Sequence, residues 1–425
     1  MLPCNDRSFA LSPSLAPTYR QVFTVLIGIA VPAVAFGRST MAVTVLLALA
    51  ALVASDLRPI AWARVRAELA TRAGLLAIVT IAVWEISALG SNFQFRSSEA
   101  VLRTGLFALA GVMVFAALRA DPDLGRRAVR AFIVTAAVSA TFSIVVMTVL
   151  PHLYWLVHLK GWHGTKLQTE LKGYTSLYVM IAPLLVWALF RETTRYRLIA
   201  LATLAAGTYL IWDTYNRAAV AGFIAMGLAM PFCWMTRRST RKYLLATLVM
   251  IVAFVAVVLF WLRTSRSWID DAVPQGAWPF PVWLIDFQRQ ATWGYALELA
   301  ERAPWFGIGA NTINFAPGAD SPMPGDKNLH IIPAHPHNWA VELLAETGVV
   351  GFLAMLAAVG AASIRMLKGF RHTGRTGFVV AIAIVTGYFA SGLFNFSYWA
   401  AWWQVSFFVA TALALALPAD ADDPA

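Results

Sequence analysis

Apolar residues run along this chain in continuous stretches rather than in alternation, and that pattern sets the architecture. The stretches predict helical spans at about 22–37, 39–55, 73–90, 100–118, 129–150, 174–190, 198–212, 218–235, 243–262, 348–366, 377–394 and 399–417. Each can cross a hydrocarbon core of ~30 Å, because a helix satisfies its own backbone hydrogen bonds in lipid. A membrane barrel would instead show weak alternating segments of about ten residues. The expectation is an all-α polytopic membrane protein of about twelve transmembrane helices. Spans one to nine occupy 1–262, a large loop 263–347, spans ten to twelve 348–417, and an acidic tail 418–425 reads as disordered.

Composition agrees: 59% of residues are hydrophobic, 13% are charged, and the mean hydropathy is +0.66. A net charge of +11 would suggest nucleic acid in a soluble protein. Here the basic residues concentrate in alternate connections. These include Arg58, Arg64, Arg66 and Arg72, then Arg126, Arg127 and Arg130, then Arg237, Arg238, Arg241 and Lys242, then Arg365, Lys368, Arg371 and Arg375. By the positive-inside rule those connections are cytoplasmic, as are both termini, and no nucleic-acid partner is expected. That leaves two sizeable segments outside, 151–173 and 263–347. The second is too long for an uncommitted loop. Its stretch 284–303 has helical composition and is closed by Pro304, with irregular, proline-marked chain around it. The two cysteines, Cys4 and Cys233, predict no disulfide framework.

The candidate chemistry gathers around His335-Pro336-His337-Asn338-Trp339 and the Glu342, Glu346, Gly348 and Gly351 that follow. Asn338 is placed to cap the next helix, which sets the His337 imidazole near a helix N-terminus and favours its neutral form. A neutral imidazole can take a proton, as a general base must; the bland alternative is an interfacial histidine. Two further cations stand on the outer side against the charge bias, Arg217 at the mouth of span eight and Arg289 in the loop helix. Their bland readings are snorkelling beside Asp213 and a solvated pair with Asp286. His330, His335 and His337 lack the spacing of a zinc site. Asp270-Asp271 is a weak divalent-ion signal, and Gly307-Ile308-Gly309 follows no strand and carries no Walker lysine. No metal, cofactor or nucleotide is expected. Glu85 lies within span three, where an acid needs a partner. Arg96 or Arg103 is the expected one, the other reading of Glu85 being a proton-coupled transporter site. The many tryptophans near outer span ends, Trp155, Trp268, Trp305 and Trp399 among them, read as an interfacial belt or as stacking platforms for sugar.

His337-Asn338 followed by Glu342, Leu343, Leu344, Glu346, Gly348 and Gly351 resembles the signature of the O-antigen ligase and polymerase family. The order around it fits as well: Arg217 beginning an outer span, Arg289 and Trp293 four apart in a loop helix, and the turn Pro304-Trp305-Phe306-Gly307-Ile308-Gly309. One departure is that the loop before span six reads Glu170-Leu171-Lys172-Gly173, where the family often has an asparagine. The resemblance implies a GT-C-like glycosyltransferase of the bacterial inner membrane with its active site facing the periplasm. Such a ligase moves O-antigen from undecaprenyl diphosphate to a sugar hydroxyl of lipid A-core.

Under that resemblance His337 is the general base, and Arg217 and Arg289 bind the donor diphosphate. Lys166, Lys172, Trp293, His335, Asn338 and Glu342 are candidates to contact substrate, and inversion without metal follows from a single displacement. Two other readings stand beside it. A polymerase of the same family would extend a lipid-linked chain, and often has two large outer loops where this chain has one. A transporter or flippase for lipid-linked sugars would need charges deep in several spans, whereas most charges here lie at span ends.

Overall fold

The computed structural model describes residues 16–161, 166–237, 279–323 and 326–418, with scattered positions between 249 and 264. Outside these lie most of expected span nine, Asp270-Asp271, Trp268 and the acidic tail. Among the described residues the chain is all-α but for one small hairpin, Pro322–Met323 with Asp326–His330.

Five helices are long and apolar enough to cross a membrane, or up to seven if each of two bent pairs is one span. The expected twelve are not all recovered by this measure, and the reasons are local. Expected span one is divided between α1 (Ala16–Ala30) and a 3-10 turn at Pro32–Phe36, where proline ends the α-helical ladder. The last two helices have 17 and 16 residues, or roughly 24–26 Å at 1.5 Å per residue. They fall short of a ~30 Å core unless their ends extend into the interface.

The chain divides into two compact units. The first comprises Met1–Glu68, Leu109–Asn216 and Phe408–Ala421. It contains α1, α2 (Arg38–Ala54) and α3 (Arg58–Leu69), the last bent 103° from α2. Three of the four charges in α3 are arginines, so this helix is too polar to span. The α6 helix (Pro122–Thr148) packs along α1 and α10 (Thr194–Asp213). Asp121 caps it through the Asp123 N–H at 2.9 Å, with Pro122 preset at the first turn. Between them come α7 (Pro151–Val157), α8 (Leu167–Ser176) and α9 (Tyr178–Arg191), with a 54° bend from α8 to α9.

The second unit comprises Leu69–Ala108, Arg217–Phe407 and Asp422–Ala425. Its framework is α4 (Arg72–Leu89), the first half of α5 (Gln94–Arg119), α11 (Arg217–Arg237), α12 (Phe287–Arg302), α13 (Trp339–Thr373), α14 (Thr376–Gly392) and the start of α15 (Ala401–Ala416). The α13 helix is central: α4 and α12 lie along it, and α14 joins it to α11. Trp84, Leu343, Tyr398 and Trp399 form a buried aromatic core against it. Trp84 donates its Nε1–H to the Gly351 carbonyl at 3.2 Å, so the polar edge of a buried indole is satisfied.

Glu85 finds neither expected arginine. Arg103 pairs with Glu99 one turn away and donates to the Trp399 carbonyl, and Arg96 donates to the Asn311 carbonyl at 2.8 Å. Both guanidiniums therefore tie α5 to backbone carbonyls far along the chain, at Asn311 and Trp399.

Candidate active site

The α13 helix carries the site because its register is broken once, at Gly348. There φ is 64° and ψ −179°, a conformation open to glycine almost alone. The turn 304–309 crosses at this break. Val349 donates to the Pro304 carbonyl at 2.8 Å, and Ile308 and Gly309 donate to the carbonyls of Ala345 and Glu346 at 3.1 and 2.9 Å. Those two carbonyls have lost their helical partners at the break, and the turn replaces them. A side chain at Gly348 would overlap the Trp305 backbone, and one at Gly307 the Glu346 backbone. The spacing of Pro304-Trp305-Phe306-Gly307 against Glu346-x-Gly348 is thus a backbone-on-backbone crossing.

Upstream of the break, Asn338 caps α13 by accepting from the Ala340 N–H at 3.0 Å. His337 precedes it with φ 56°, a left-handed backbone uncommon outside glycine. Its Nδ1 lies 3.1 Å from the Asn395 carbonyl. A carbonyl only accepts, so Nδ1 carries the hydrogen and the neutral ring keeps its lone pair on Nε2. Burial first, and then the charge of Arg289, hold the ring below its ordinary pKa of 6.5; the Asn395 hydrogen bond and Asp286 oppose them. Burial and the Arg289 charge thus act in the same direction as the helix terminus that the sequence suggested. The His335 ring lies 4.2 Å from it, centroid to centroid.

Arg289 sits in the first turn of α12, capped by Asp286, which accepts from the Arg289 N–H at 3.0 Å and pairs with its guanidinium at 3.7 Å. The guanidinium also donates to the Phe394 carbonyl at 3.3 Å and lies over that ring. Burial lowers its proton affinity, Asp286 raises it, and Arg217 lowers it. Arg217, the exposed first residue of α11, is thus near enough for its charge to be felt. Trp293, one turn beyond Arg289, donates to the Pro336 carbonyl at 2.9 Å. It ties α12 to the residue preceding His337.

The structure brings His337, His335, Asn338, Arg289, Trp293 and Glu342 together in the second unit, with Arg217 in electrostatic reach. Lys166 and Lys172 belong to the first unit, as exposed residues at the start and middle of α8. Glu342 is 1% exposed, and its two oxygens accept from Ser397 Oγ at 2.6 Å and the Tyr398 N–H at 2.7 Å. Its contacts are with the turn 394–399 between α14 and α15. Sequence reasoning missed that turn, although Asn395 and Ser397 are polar residues between two apolar runs. It also gave Glu346 no role. Glu346 is fully buried and accepts from the backbone N–H groups of Asn311, Thr312 and Ile313 at 2.7–2.8 Å and from the Trp399 indole. Among the described residues no three of His, Cys, Asp and Glu are grouped to hold a metal ion.

Residues 201–356 match the model of a family described as O-antigen ligase. A Rickettsia conorii protein, provisionally described as a polysaccharide ligase, is 25% identical over 119 residues. The alignment covers 27% of this chain and 28% of that protein, so the chain spans well under a third of that relative. The matched segment, which resembles an O-antigen ligase domain, contains Arg217, Arg289, His337, Glu342 and Glu346 and stops short of the turn 394–399.

Proposed function

We propose that this protein transfers a glycan from undecaprenyl diphosphate to a sugar hydroxyl of lipid A-core. The site would lie at the periplasmic face of a bacterial inner membrane, in a chain of about twelve spans with both termini cytoplasmic and 263–347 outside. One observation carries the reading. A half-buried histidine and a half-buried arginine are held side by side on the adjacent carbonyls of Asn395 and Phe394, with the histidine's lone pair left on Nε2.

In the reaction, His337 Nε2 takes the proton of the acceptor hydroxyl as its oxygen attacks the anomeric carbon. The bond from that carbon to the diphosphate oxygen breaks, and undecaprenyl diphosphate leaves with the electron pair. Arg289 and Arg217 stabilise the charge that grows there, which guanidiniums do well in a partly dry site. Attack opposite the leaving group inverts the anomeric centre. Trp293, His335 and Asn338 shape the same site, and in the first unit Lys166 and Lys172 offer positive charge to anionic head groups.

Membranes holding the protein, supplied with lipid-linked glycan and lipid A-core, test this directly. Glycan should appear on lipid A-core, and Arg289→Ala should slow transfer about 10–100-fold, the worth of one charge-assisted hydrogen bond. Extension of a second lipid-linked chain instead would identify a polymerase. Full activity of Arg289→Ala would remove the arginine from the mechanism.

A further inference from the structure

The two groups that would do the chemistry are both anchored to one turn, and the turn itself is anchored to buried carboxylates. Phe394 and Asn395 offer their carbonyls to Arg289 and His337. Two to four residues on, Ser397 and Tyr398 donate to Glu342, and Trp399 donates to Glu346. Ser397 Oγ also accepts from the Trp399 N–H at 3.1 Å, so this hydroxyl serves both sides of the turn. Glu342 and Glu346 are four residues apart on α13, hence one above the other on one face. The same helix begins two residues after His337. A short, closed ring results: His337, Asn395, Ser397–Tyr398, Glu342, and back along one turn of helix to His337.

From this ring we infer that Glu342 is a positioning residue: it sets the His337 tautomer by holding the Asn395 carbonyl against Nδ1. The inference rests on the reading of His337 as the base. The Nδ1–H form is the one that free imidazole disfavours, so the protein must supply a fixed acceptor to hold it. A carbonyl in a mobile turn would not do so. Two bonds to one carboxylate, buried among Tyr398, Trp399 and Trp84, fix the turn within the tolerance that proton transfer needs. Glu342 need not exchange a proton for this, since both its oxygens are occupied by donors that stay on the protein.

The test uses two substitutions at Glu342 and two independent readouts. Glutamine can still accept from the Tyr398 N–H and can donate to Ser397 Oγ, whose hydroxyl turns to accept; alanine can do neither. Glu342→Ala is expected to lower kcat about 10²-fold with little change in KM, the cost of a misplaced base. Glu342→Gln should keep activity within a few-fold of wild type. In ¹⁵N spectra of histidine-labelled protein, with the His337 signal assigned by its loss in His337→Gln, wild type and Glu342→Gln should show the Nδ1–H form. Glu342→Ala should show a mixture of tautomers. Should Glu342→Ala fail to accumulate, Ser397→Ala removes one donor and is expected to shift the tautomer in the same direction. An unchanged tautomer in Glu342→Ala, or in Ser397→Ala as its stand-in, overturns the inference. So does a Glu342→Gln variant as inactive as alanine with its tautomer intact, which would make the carboxylate a proton carrier. The spectra require no substrate, so a failure of the transfer reaction and a failure of this inference are told apart.

Discussion

Replacing His337 by alanine is expected to lower glycan transfer by about 10²–10⁴-fold, the usual contribution of a general base, while protein level and membrane insertion stay near wild type. The argument is geometric before it is electrostatic. Nδ1 is committed to the Asn395 carbonyl, so the ring can accept a proton only at Nε2. Glutamine at 337 could imitate the Nδ1–H donor but has no second basic nitrogen, and should be about as inactive. The pH dependence gives the matching sign. Burial and the Arg289 charge both disfavour imidazolium, so the acid limb of kcat/KM should fall below the ordinary histidine value of 6.5. In Arg289→Gln the positive neighbour is gone, and the limb should move up. Initial rates between pH 4.5 and 8, a window chosen to bracket roughly two units around a free histidine, measure both effects. A limb that stays put in Arg289→Gln would mean the two side chains do not share a site during turnover. Wild-type rates in His337→Ala would end the general-base mechanism.

Fold class was legible in the sequence because long apolar runs have few alternatives: in lipid only a helix or a closed barrel satisfies the backbone. A helix end was legible where capping is local, as at Asn338, which caps through its own side chain; the Asp286 cap was read only as a charge partner of Arg289. What the pattern hid was interruption. The helix break at Gly348 falls where expected span ten begins, but nothing nearby in sequence announces that the chain is already helical before it and that another segment crosses there. The broken passage at Pro32–Phe36 and the short final helices likewise look like ordinary spans when only hydropathy is read.

The candidate site divides along the same line. His337 and Arg289 were visible as residue types in an unusual place, a segment expected outside, where the charge bias argues against cations. Their shared anchor was not visible. Asn395 and Phe394 act through backbone carbonyls, which carry no residue-type signal, and they follow His337 by nearly sixty positions. Glu346 is a similar case, since its acceptors are filled by three consecutive backbone N–H groups that converge only once the turn 304–309 has crossed α13. Glu342 looked like a residue for substrate because a carboxylate beside a base invites that reading. Its burial and its two protein donors give it the turn 394–399 instead.

Gly348→Ala should be the most disruptive single-methyl change in the second unit. The backbone conformation there costs an alanine about 1–3 kcal/mol in strain. The added Cβ would also press into the Trp305 backbone, adding about 1–3 kcal/mol of overpacking because a carbonyl in a crossing turn cannot rotate aside. Together these are a large share of the stability of an ordinary domain. Gly360, on the same helix with nothing near its would-be Cβ, is the control. Alanine there should be neutral or slightly stabilising, since it removes a helix-interior glycine worth roughly 0.5–1 kcal/mol. Thermal unfolding in detergent, with protease protection of the loop 304–309, separates the two variants. If Gly348→Ala melts with wild type, the helix can run through position 348 unbroken. The carbonyls of Ala345 and Glu346 would then return to helical partners, and the turn 304–309 would lose the hydrogen bonds that seat it beneath the carboxylate pair.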